Sequence, residues 1–106
     1  MSQKTFTVSN VAVTVRTRDV NLFVSRRQGI RVRTSTQVAS IDGSITLEGV
    51  AGTAQASGSG TNTDRVDIMG PRFGGFRVPQ AYQRVSFNLT IGVGSQTGQI
   101  SDTLLF

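Results

Sequence analysis

The chain of 106 residues contains no cysteine, no histidine and no tryptophan, and it has only one glutamate, one lysine and two prolines. Each absence removes a class of chemistry. Without cysteine there is no disulfide framework, no thiolate nucleophile and no cysteine-containing zinc site. Without histidine the usual general base and imidazole ligand are missing, so the many serines have no partner to activate them. A paired-carboxylate site would have to be assembled from aspartates, because Glu48 stands alone. No apolar run reaches the ~18 residues that a membrane helix needs. The segment from Met1 to Phe6 carries one positive charge and leads into alternating residues rather than an apolar signal core. The expectations are therefore no enzyme, no cofactor, no metal, no secretion signal, and a location in the cytoplasm or in a virion.

What is present is strand-forming. Thirteen valines, six isoleucines and thirteen threonines far outnumber the best helix formers. The length allows one domain over residues 1–106, and a core this small gains from packing against a partner, so a homo-oligomer is expected. Seven to nine short antiparallel strands suggest an all-β fold: a small antiparallel sandwich, jelly-roll-like, or open barrel.

Along the chain, Phe6 and Val8 share one phase and Val11, Val13 and Val15 the other, which predicts one strand or two separated by a bulge near Ser9 and Asn10. Arg26-Arg27-Gln28-Gly29 reads as a hairpin loop, and Asp42-Gly43 between Ile41 and Ile45 reads as a two-residue turn joining strands at about 34–41 and 44–49. Residues 50–64 hold small polar side chains with no anchor larger than Val50, the composition of a flexible Gly/Ser/Thr-rich loop or a loosely packed edge hairpin. Gln83 to Val93 is the clearest strand, with Val85, Phe87, Leu89, Ile91 and Val93 in strict alternation. Gly94 to Gly98 reads as a loop before a last strand, and Leu104, Leu105 and Phe106 cannot all enter one face of it. They are capped by the domain or form a subunit contact.

Charge is distributed unevenly. Residues 1–35 carry Lys4, Arg16, Arg18, Arg26, Arg27, Arg31 and Arg33 against Asp19 alone, whereas residues 36–69 are net negative. If strands at 13–18 and 30–33 pair, Arg16 and Arg18 on one strand and Arg31 and Arg33 on the next form a platform for phosphates or acidic groups. Arg16, Arg18, Arg26, Arg27, Arg31 and Arg33 are thus the candidate contacts to nucleic acid or an acidic partner, with Tyr82 as a stacking surface. Phe73 and Phe76 read as anchors of a proline-containing loop. Asp64 and Asp67 lie close enough in sequence to suggest a hard cation, but nothing else completes such a site. Two functional readings result. One is a structural subunit of a repeating assembly, such as a viral or phage coat protein whose basic face meets nucleic acid or an acidic neighbour. The other is a stand-alone single-stranded nucleic-acid-binding module.

Overall fold

A computed structural model describes residues 2–21, 25–50, 52–74 and 81–106. Among these residues seven strands follow one another: β1 (Gln3–Val8), β2 (Val11–Asn21), β3 (Ser25–Gly49), β4 (Gly52–Met69), β5 (Phe73–Gly74), β6 (Arg84–Val93) and β7 (Gln96–Leu105). All neighbours are antiparallel, in the order β1-β2-β3-β6-β7 with β4 and β5 also on β3. The sheet is nearly closed into a barrel, which bears out the all-β expectation and, of its three alternatives, fits the open barrel.

The long strand β3 makes this closure possible. Its first part, around Gly29 to Arg33, lies between β2 and the end of β4, while its last part, from Ser40 to Glu48, lies between β6 and the start of β4. Between these parts the register of β3 against β4 shifts, with Arg33 opposite Arg65 and Val38 opposite Thr63. The inward phase also switches there, from Ile30, Val32 and Val38 to Ile41, Ile45 and Leu47. Asn62, at φ 49°, takes the opposing bend in β4. At the far side β1 lies against β7, joined by the Lys4–Asp102 ion pair at 2.9 Å and the hydrogen bond from Ser9 Oγ to Gln96 Oε1 at 2.7 Å.

Valine and isoleucine from β1, β2, β3, β4, β6 and β7 fill the interior, with Phe87 as its largest buried side chain. Phe6 meets Phe87 edge to face at 6.2 Å. The two buried polar side chains among the described residues have partners. Thr17 Oγ1 donates to the Ser2 carbonyl at 3.4 Å, beside the Thr17 amide at 3.0 Å. Gln28 accepts from the Tyr82 amide at 2.7 Å and donates to the Tyr82 carbonyl at 3.1 Å.

Three local expectations give way to strand parity. Ser9 and Asn10, both at positive φ, form a two-residue turn between β1 and β2 rather than a bulge. Arg26 to Gly29 is not a hairpin loop but the start of β3, paired with Asn21, Val20, Asp19 and Arg18. Asp42-Gly43 is not a turn either, because β3 runs through it, with Asp42 paired to Thr90 and Ser59 on its two sides. Gly43 is there for space: a Cβ on it would come within 2.4 Å of Leu89 Cδ2 and 2.8 Å of Ile68 Cδ1. Residues 52–64 lie in β4, where the small side chains are laddered to β3 along its edge. Gly94 at φ 61° begins the tight turn between β6 and β7. Phe76 and Pro79 lie outside the described residues.

Candidate functional site

The outer surface of β2, β3 and β4 follows from alternation. Val13, Val15 and Thr17 point inward on β2, Gln28, Ile30 and Val32 on β3, and Val66 and Ile68 on β4. The intervening residues therefore face out: Thr14, Arg16 and Arg18; Arg27, Arg31 and Arg33; Arg65 and Asp67. Register aligns them in rows. Arg16 is opposite Arg31, which is opposite Asp67; Thr14 is opposite Arg33, which is opposite Arg65; Val20 is opposite Arg27. Among the described residues of these rows, six arginines thus share one face with one carboxylate, Asp67.

Two of these rows place arginine directly across from arginine, an arrangement that destabilises a sheet unless something relieves it. Asp67 relieves one of them. Arg31 Nε donates to Asp67 Oδ1 at 2.8 Å, and Arg18 Nη1 to Asp67 Oδ2 at 2.6 Å. The hydrogen bond from Arg31, together with the charges of Arg31, Arg18 and Arg65, holds the Asp67 carboxyl below the usual range despite some burial. The same hydrogen bond raises the already high pKa of Arg31. Among the described residues the Arg33–Arg65 row has no ion pair, only the longer-range attraction between Arg65 and Asp67, and both arginines are exposed. Arg27 gives its Nε to the Gly70 carbonyl at 3.0 Å, which fixes the stem of the side chain.

Shallow hollows lie between these side chains. One of about 340 Å³ is lined by Arg16, Arg18 and Arg31 among others, and one of about 260 Å³ by Arg18, Arg27, Asp67, Met69 and Arg72. A third, about 360 Å³, runs from Gln3 past Arg16 and Arg33 to Ser35.

Of the sequence-predicted residues, Arg16, Arg18, Arg27, Arg31 and Arg33 come together here. Arg26 does not, because it has the opposite parity. It pairs instead with Asp19, Nε to Oδ1 at 2.8 Å, and that hydrogen bond raises its pKa. Tyr82 is also elsewhere: its backbone is bound by the inward-facing Gln28, and its ring packs against the core and edge to face on Phe73 at 5.6 Å. Arg65, not anticipated, joins the patch through the β3–β4 register. Its alternation with Val66 and Ile68 was visible in sequence, but its neighbours were not. Asp67, considered for a cation, is instead the counter-charge of two arginines. At the C-terminus Leu104 is a core residue and Phe106 packs on the core, so of the three proposed contact residues only Leu105 is largely exposed, at 64%.

No family model matches the chain, and no curated protein matches it in sequence. Among solved structures, the solution structure of CsgH from R. palustris is similar, with a TM-score of 0.50 and 17% sequence identity over 88% of this chain and 91% of that one. At that identity the likeness concerns the fold. It corrects the expectation of a viral or phage coat subunit, because the matched fold belongs to a bacterial protein and not to a virion or capsid component. The alternative of a single-stranded nucleic-acid module loses its stacking residue, since Tyr82 sits on the core side of β3.

Proposed function

We propose that the chain is a non-catalytic binding module that engages an acidic polypeptide through the arginine face of β2, β3 and β4. The observation that carries this reading is the Arg33–Arg65 row, without an ion pair among the described residues, beside Arg16, Arg31 and Arg18, a repulsive arrangement that a carboxylate-bearing partner would relieve. Guanidinium groups two residues apart on one strand repeat at about 6.6–6.8 Å, the spacing of alternate side chains on an extended peptide. The face offers no aromatic surface among the described residues, which favours carboxylates over stacked bases.

The test is a backbone amide NMR titration of the full chain with poly-L-glutamate, and in parallel with oligo-dT of equal charge. Shifts confined to β2, the first part of β3 and the end of β4, with weaker effects from oligo-dT, support the reading. Shifts centred on β6 and β7 would overturn it. Stronger binding of oligo-dT would reassign the partner to nucleic acid.

A second reading rests on the fold neighbour alone: the chain works as a CsgH-like protein in a bacterium. Its test is genetic, asking whether the chain replaces CsgH in R. palustris cells that lack it.

A further inference from the structure

The remaining outer surface is chemically unlike the arginine face. On β4, Thr53, Gln55, Ser57, Ser59 and Thr61 face out, while Ala54 and Ala56 rest against the core. Register sets them beside Glu48, Thr46, Ser44, Asp42 and Ser40 of β3. From Gly49 to Thr63 the sequence has no charged residue and no proline.

This stretch of β4 is also a sheet edge. Among the described residues it pairs with β3 alone, so half of its backbone donors and acceptors face outward along a strand about ten residues long. Sheet edges are ordinarily blunted by charge, by proline, by a bulge or by a cover. The edges of β1 and β7 meet each other and carry the Lys4–Asp102 pair. Among the described residues the β4 edge from Gly52 to Thr61 has none of these protections.

We infer that this edge is a homodimer interface, in which β4 pairs antiparallel with β4 of a second copy about a two-fold axis at Ser57. The sequence is self-complementary about that point. Thr53 falls opposite Thr61 of the second copy, Gln55 opposite Ser59, and Ser57 opposite itself, three hydroxyl or amide pairs of the kind that hydrogen-bond across strands. On the inner side Ala54 falls opposite Gly60 and Ala56 opposite Gly58, so no bulky side chain blocks the approach. No charge meets a like charge, although each chain carries a net +5. The pairing is isologous and closes on itself, which satisfies both edges and leaves neither as a template for further addition. The arginine faces remain free on both copies. This interface is distinct from the C-terminal contact expected from sequence, whose Leu104 is spent in the core.

The test is sedimentation velocity of the full chain over a concentration series, with three further samples: Ser57→Lys, Ser57→Glu, and an equimolar mixture of the two. Each variant places two like charges face to face at the axis, and the mixture places opposite charges there. The expected result is a concentration-dependent dimer for the unaltered chain, monomers for each variant alone, and recovery of the dimer in the mixture. Far-UV circular dichroism checks that both variants keep the strand signal, and a variant that loses it is replaced by the double variants Gln55→Lys/Ser59→Lys and Gln55→Glu/Ser59→Glu, whose charges meet across the same pairing. An unaltered chain that is monomeric throughout, one that forms open-ended larger species, a dimer indifferent to both substitutions, or a mixture that stays monomeric would each overturn the inference.

Discussion

Asp67 is the residue on which the cationic face turns, because among the described residues it is the carboxylate in the outward rows of six arginines and it accepts from two of them. Asp67→Asn should tighten binding to poly-L-glutamate, by freeing Arg18 and Arg31, while weakening the fold at neutral pH. The direction with pH follows from its lowered pKa. A carboxylate held below its ordinary value stabilises the folded state above that value, and this contribution is lost as pH falls through the folded pKa. Asp102, lowered first by the hydrogen bond from Lys4 and then by the Thr103 amide, acts in the same direction. Stability measured by urea unfolding should therefore fall on acidification below about pH 4, and Asp67→Asn should flatten part of that decline. A second residue-scale prediction concerns Gly43, where Gly43→Ala drives a methyl into Leu89 and Ile68 and should cost about 1–3 kcal/mol in the same assay. Much of the patch was legible in the sequence: alternating arginines on two strands that pair must share a face. Arg26 falls outside the patch because adjacency in sequence ignores parity, Tyr82 because Gln28 binds its backbone and its ring packs on Phe73, and Arg65 was missed because only the register of β3 against β4 sets it opposite Arg33.

At the scale of elements, parity was a better guide than local turn chemistry. Asp42-Gly43 has the composition of a turn, yet Ile41, Gly43, Ile45 and Leu47 keep one phase through it, and the strand continues. Gln28 likewise keeps phase with Ile30 and Val32, which places Arg26 to Gly29 in β3. The strand β6 was plain because five apolar residues alternate without interruption. The strand β4 was legible only as the edge-hairpin alternative to a loop, for the opposite reason: at an edge whose inner side takes only alanine and glycine, pairing comes from backbone bonds that leave little hydrophobic pattern. The turn between β1 and β2 holds two non-glycine residues at positive φ, Ser9 at 47° and Asn10 at 66°. Asn10→Gly should relieve that conformation and raise stability by a few tenths of a kcal/mol up to about 1 kcal/mol, read from the urea midpoint. A loss of stability would show that the Asn10 side chain contributes more to the turn than its backbone costs.

The whole molecule has two unlike outer surfaces on one nearly closed sheet. One is dense in arginine, and the other is lined with hydroxyl and amide groups along β3, β4 and β6. The total of +5 thus describes neither surface, since the first carries most of it and the second almost none. A binding role for the first surface implies a steep response to ionic strength, because exposed charges separated by more than about 8–10 Å act weakly at physiological salt. The most direct measurement is the affinity of the full chain for poly-L-glutamate as a function of salt, compared with an Arg33→Ser/Arg65→Ser double variant. The expected result is a steep loss of affinity with salt, with the variant about fivefold to tenfold weaker at low salt and less salt-sensitive. A flat salt response, or a variant that binds as well as the unaltered chain, would contradict the assignment of the arginine face as the binding surface.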